Sequence, residues 1–163
     1  MTRIEPGRAL RLAVPVLVVL LSLCAVWLFW DASERRSAER AGNEAVLAAL
    51  DSIVAILSYQ PGTAERDLEA TAQERLTGQF LDDYTQLIRT VVVPKAIRED
   101  VTAAARVPAA AVVSAEPERV VVLAYVDLTT AAGKAAPIET NSSVRVSMER
   151  VDGRWLISGF EPI

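Results

Sequence analysis

The sequence predicts an α+β fold, with helices leading into an antiparallel sheet, held behind an apolar N-terminal rod. Three observations predict it. Leu12 to Trp30, LAVPVLVVLLSLCAVWLFW, carries no charged side chain. Between Val46 and Val91 apolar residues recur at helical spacing, and from Val101 onward the period shifts toward two. Asp152-Gly153 then supplies the strongest short hairpin signal in the chain.

The rod reads as a membrane span. A helix of about 19 residues rises roughly 28 Å, close to the ~30 Å of bilayer hydrocarbon. Trp27, Phe29 and Trp30 gather at its C-terminal end, where aromatic rings settle among headgroups. A cleavable signal would have a shorter core and a small-residue cleavage site, and this one runs straight into Trp27-Leu28-Phe29-Trp30. Leu23 before Cys24 is too bulky for a lipoprotein signal, so Cys24 reads as a lipid-facing thiol. Arginines balance across the span: Arg3, Arg8 and Arg11 before it, Arg35, Arg36 and Arg40 after it. A short basic N-terminus ahead of a single span is a signal-anchor arrangement, which puts the N-terminus in the cytoplasm and the rest outside. The expected plan is a cytoplasmic 1–11, a span at 12–30, a helical stalk at 31–45 and an extracytoplasmic domain at 46–163.

Composition removes several function classes. Net charge is −4 among 163 residues, with no basic stripe of the kind nucleic acid requires. There is no histidine, so the commonest general base and metal ligand is missing. Gly-rich phosphate loops, metal-ligand clusters and nucleophile motifs are absent from the sequence, and no cofactor is expected.

Asp31 to Ser58 is predicted as one helix, polar at first. It then turns amphipathic through Val46, Leu47, Leu50, Ile53, Val54 and Leu57. Gly42 and Asn43 mark a weak point between the halves. The early part lacks a sustained heptad, so a solvated spacer is a better reading than a self-association helix. Tyr59-Gln60-Pro61-Gly62 ends the helix. Thr63 is placed to cap a second helix and Thr77 a third, the latter with an apolar stripe of Phe80, Leu81, Tyr84, Leu87, Ile88 and Val91. Pro94 is expected to end it, and Lys95 to Asp100 is a polar connection of open conformation.

Four β segments follow. Thr102 to Ser114 carries Pro108, the mark of an edge or bulged strand. Arg119 to Thr130 is apolar on both faces, predicting a central strand covered on both sides. Asn141 to Val151 alternates Val144, Val146 and Met148 with polar residues, and Trp155 to Phe160 returns through the hairpin. About three helices laid on a curved sheet of about four strands would bury the Phe80–Val91 stripe together with Trp155. That shape is the cone of the NTF2-like fold.

A set of stretches in this order resembles the Mce-associated membrane proteins of actinobacteria. They are Leu57-Ser58-Tyr59, Leu76-Thr77-Gly78-Gln79-Phe80 with Tyr84, Val112-Val113-Ser114, Val120-Val121-Val122-Leu123, Val151-Asp152-Gly153-Arg154-Trp155-Leu156-Ile157 and the tail Phe160-Glu161-Pro162-Ile163. The resemblance implies an NTF2-like domain distantly similar to that of VirB8. It also implies an accessory role beside transporters that move lipids or sterols, through protein partners in that complex. It carries over no catalytic residue. The alternatives are a VirB8-like component of a secretion apparatus and a small-molecule-binding NTF2-like domain.

As candidate site residues the sequence offers Phe80, Tyr84 and Trp155, either lining a lipid-accepting cavity or filling the core, and core is the better reading. An enzymatic cone would draw on Asp82, Asp83 or Asp127 with Tyr84 or Tyr125. The adjacent aspartates on one helix point apart, and the chain reads as non-catalytic. Asn141-Ser142-Ser143 matches a glycosylation acceptor but reads as a loop entering a strand.

Overall fold

The computed structural model of the protein describes residues 36–163. The expected span at Leu12–Trp30, its orientation and the first part of the stalk lie outside the described residues. Among the described residues no helix is long and apolar enough to cross a membrane.

Helix α1, described over residues 36–57, lies on the sheet through small side chains. Ala41, Ala45, Ala49, Ile53 and Ile56 are buried at spacings of three and four, one stripe of a 3.6-residue helix. The stripe expected from hydropathy was Val46, Leu47, Leu50, Ile53, Val54 and Leu57. Only Ile53 of that set is buried, and Leu47 is 69% exposed. The physical reason is size. Alanines contribute little to a hydropathy pattern, but they let a helix approach a sheet closely. The packed part of α1 therefore reaches back to Ala41, inside the stretch read as stalk. Gly42 marks close approach rather than weakness, since a Cβ there would sit 3.4 Å from both Val112 and Ala115.

Helix α2, Ala64–Arg75, buries Ala64, Leu68 and Ala72 and starts after Thr63, with Glu65 and Asp67 in its first turn. Helix α3, Gly78–Leu87, starts after Thr77. It does not stop at Pro94. A π turn, Ile88–Val92, follows, and α4, Val93–Glu99, continues from it. The expected break at Pro94 and the open connection after it are corrected accordingly. Proline lacks an N–H and crowds the carbonyl four residues back. The wider turn, in which the Val93 N–H reaches the Ile88 carbonyl, leaves Pro94 at the start of a new helical segment, where the N–H is not needed. Asp100, left-handed at φ 53°, ends α4.

The sheet is an antiparallel meander in the order β1-β2-β3-β4: Val101–Ala115, Arg119–Ala132, Ile138–Val151 and Arg154–Pro162. Pro108 does mark an edge strand, and it lies in a register shift between Arg106 and Ala109. A second shift falls between Val112 and Ser114. Asp152 and Gly153, at φ 50° and 78°, make the tight turn between β3 and β4.

β2 is internal, but only one of its faces is covered. Val120, Val122, Ala124 and Val126 are buried with Val144, Val146, Met148 and Ile157 under α1. The opposite face of β2 carries Val121 and Leu123, half-buried, and Tyr125, 54% exposed. Among the described residues the expected cover on both sides is absent, because α1, α2 and the α3–α4 helix all lie on the other face. A smaller cluster, Ala64, Leu68, Ile88, Val93 and Ala96, joins α2 to the α3–α4 helix.

Candidate interaction surfaces and comparison with known proteins

The three aromatic residues singled out from sequence fall into two places. Phe80 and Tyr84, one turn apart on α3, have ring centroids 6.1 Å apart, and Phe80 stacks on Phe160 of β4 at 6.3 Å. The Tyr84 hydroxyl donates to the Ile56 carbonyl at 2.7 Å. Burial pushes the Tyr84 phenol well above its ordinary range, and nearby Tyr59 adds to the shift. Trp155 belongs to the same main core, on the flank of α1 that carries Glu44. Its indole N–H donates to Glu44 at 3.5 Å, and Arg150 lies over its ring at 5.8 Å while also facing Glu44 at 3.6 Å. Phe160, the third ring of the first cluster, stood out in sequence only as the end of a strand and the start of the Phe160–Ile163 tail.

Only part of the α3 stripe is covered. Phe80, Leu81 and Tyr84 are half-buried and Ile88 is buried, whereas Leu87 and Val91 are exposed. Asp82 and Asp83 sit on the solvated side of α3, Asp83 accepting from Gln79 at 2.8 Å. Asp127 accepts from Asn141 across the β2–β3 pair at 2.8 Å, on the uncovered face of the sheet. Tyr125 lies on that same face, so Tyr84 and Tyr125 stand on opposite sides of the sheet.

Two surfaces stand out. One is the uncovered sheet face. Register places Ala109 and Ser143 beside Tyr125, and Ala111 and Arg145 beside Leu123. Val121, Leu123 and Tyr125 thus form a low apolar spine between alanines and serines, with Arg145–Glu161 and Arg119–Glu149 pairs at its margin. The other is a groove of about 500 Å³ beside Trp155, lined by Asp51, Ser52, Glu74, Arg75 and Arg154. Ala48 and Leu156 complete its lining, and Arg75 and Asp51 form an ion pair at its wall.

No family profile matches the chain. Curated relatives do. The protein named outer membrane protein Rv1973 of Mycobacterium tuberculosis is 48% identical over 149 residues, covering 91% of this chain and 92% of that one. The uncharacterised protein Rv1362c of the same organism is 38% identical over 157 residues, covering 92% and 71%. Among solved structures, the fold is similar to a periplasmic fragment of TraM (TM-score 0.62, 11% identity, 74% of this chain and 95% of that one). It is also similar to an IcmL-like type IV secretion system protein of Legionella pneumophila (0.62, 10%, 72% and 89%) and to Agrobacterium tumefaciens VirB8 (0.59, 13%, 72% and 88%). At these identities the structural likeness establishes a shared fold and nothing further. With the sequence identity to full-length relatives added, this chain belongs to the mycobacterial family that includes outer membrane protein Rv1973 and Rv1362c, and its described domain has the VirB8-like form of the NTF2-like fold.

Proposed function

We propose that the protein is a non-catalytic, membrane-anchored accessory subunit that binds and stabilises protein partners in an Mce-type lipid-transport complex of the cell envelope. The observation that carries this reading is the uncovered sheet face. One side of the sheet is filled by helices, whereas Val121, Leu123 and Tyr125 stay open to a partner. The apolar rod at Leu12–Trp30 supports an anchor with the N-terminus in the cytoplasm and the domain outside. Tethering confines the domain to a thin layer beside other membrane-held subunits, which raises effective concentration without tight contacts. The ordered resemblance to Mce-associated proteins supports the choice of complex. The aromatic residues Phe80, Tyr84 and Trp155 serve packing in this reading, each tied to another element by a ring contact or hydrogen bond.

A second reading, a scaffold in a secretion apparatus, is favoured by the likeness to VirB8 and the IcmL-like protein. Affinity purification of the full chain from native membranes separates the two. Recovery of lipid-transport subunits, lost in a Leu123→Glu, Tyr125→Glu variant that still folds, supports the proposal. Recovery of secretion-channel components instead overturns it in favour of the scaffold.

A further inference from the structure

The edge of β1 is capped along half its length and open along the other. Ala103 exchanges both backbone hydrogen bonds with Tyr59, at 2.9 and 3.0 Å, and the Ala105 N–H donates to Ser58 Oγ at 3.0 Å. Both lie on the side away from β2. Beyond the shift at Pro108 this cover ends. The segment Val107–Ala115 is nine consecutive uncharged residues, with Ala109, Ala111, Val112, Val113 and Ser114 all exposed. An open, uncharged edge of this kind is a template for another strand.

Register shows which backbone groups are free. Because Ala103 bonds outward, it faces Thr130 as a non-hydrogen-bonded pair, and alternation makes Arg106 and Asp127 a bonded one. β2 keeps an unbroken register with β3, so Tyr125, Leu123 and Val121 turn toward β1 as Asp127 does. Their partners Ala109, Ala111 and Ser114 are satisfied inside the sheet. Ala110 and Val112 therefore present N–H and C=O outward, and among the described residues nothing outside the sheet bonds to them.

We infer that this open half of β1 pairs, antiparallel, with the same segment of a second copy about a two-fold axis through Ala111. Ala110 of one copy then lies opposite Val112 of the other, and both pairs exchange two hydrogen bonds. Moving the axis to Ala110 would set Val112 against Pro108, which has no N–H. Moving it to Val112 would set Ala110 against Ser114, whose groups are already used. The charges agree with the same axis. Arg106 and Glu116 flank the uncharged segment at equal distances from Ala111, and neither forms an ion pair among the described residues. The two-fold brings Arg106 of each copy beside Glu116 of the other, an isologous and self-complementary contact. The exposed flank of α1 completes it. Gly42 seats α1 against Val112 and Ala115, while Glu44 and Asp51 face the β3–β4 and α2 side. Val46 and Leu50 thus lie on the flank toward the β1 edge, where a partner strand would run. This surface is the strand's edge and stands independently of the sheet face invoked above.

The test uses the full chain in lipid nanodiscs or detergent, with Cys24, its only cysteine, replaced by serine. In a non-hydrogen-bonded antiparallel pair the Cα atoms are about 4.5 Å apart, within disulfide range. Ala111→Cys is expected to form a disulfide-linked dimer on mild oxidation at least tenfold faster than Ala135→Cys in the exposed β2–β3 loop. Arg106→Glu and Glu116→Arg are each expected to lower the dimer fraction of the cysteine-free chain several-fold, and the double swap to restore it. Circular dichroism unchanged from the parent shows that these exposed substitutions leave the fold intact. Equal cross-linking rates at the two cysteines, a monomeric mass for the parent chain, or a double swap no better than the singles would each overturn the inference.

Discussion

The Tyr84 hydroxyl donates to the Ile56 carbonyl at 2.7 Å, tying α3 to the last turn of α1. Carbonyls in a final helical turn have no partner within the helix, so this bond satisfies a group that burial would otherwise strand. Tyr84→Phe keeps the ring against Phe80 and removes only the hydroxyl. It is expected to cost about 1–2 kcal/mol, read as a lowered midpoint in thermal unfolding of the full chain.

Alkaline pH probes the same group. Burial first, and then Tyr59, hold the folded-state pKa of Tyr84 above its ordinary value of 10.0. The stabilisation is therefore fully present below about pH 10, and it drains away as pH rises toward the folded value. Melting temperature against pH should fall more steeply above pH 10 in the parent chain than in Tyr84→Phe. Parallel curves would show that the phenol is not held neutral by the fold. Tyr59 is also raised by burial, and its contribution remains in both proteins.

The alanine stripe of α1 makes a prediction opposite to hydropathy. Ala45 is fully buried against the sheet, so Ala45→Leu should destabilise by about 1–3 kcal/mol through overpacking. Leu47→Ser, at a position 69% exposed, should leave the stability of a single copy within about 0.5 kcal/mol. Chemical denaturation of the two variants checks both directions at once.

Gly153 holds φ at 78° in the β3–β4 turn, and no neighbouring atom lies within 4 Å of where a Cβ would stand. Any cost of Gly153→Ala is therefore backbone strain rather than collision. It is expected to be about 1–2 kcal/mol, measured by unfolding.

Alkaline carbonate washing of membranes tests the anchor. The full chain should stay in the pellet, and a chain lacking residues 1–30 should be released. Full-length protein in the wash would remove the anchor and the accessory role built on it.

What the sequence made legible is tied to strong local chemistry. Asp152-Gly153, the alternation of Val144, Val146 and Met148, and Pro108 at an edge are each dictated within a few residues, and each stands where expected. The misreadings came from tertiary choices. α1 buries its alanines because the sheet lies close, which no count of large apolar residues reveals. Val121, Leu123 and Tyr125 look like core in sequence, yet the helices settle on the opposite face. Phe80 and Tyr84 were legible as neighbours from their spacing, but their link to Phe160 depends on how β4 closes the sheet. Trp155 meets α1 as Tyr84 does, but at Glu44 rather than Ile56, and Arg150 lies over its ring.

The π turn has a consequence for how this chain tolerates insertion and deletion. Ile88 and Val93 are both buried although five residues apart, a spacing an unbroken α-helix would place on different sides. Removing any one residue of Ile88–Val92 would restore ordinary winding and rotate everything after it by about 100°. Ala96 would swing out of its contact with Leu68, and the Asp100 corner would no longer aim the backbone into β1. One codon lost there would unseat the whole edge of the sheet, whereas the exposed Gly133–Pro137 connection, outside both strands, has room to lengthen.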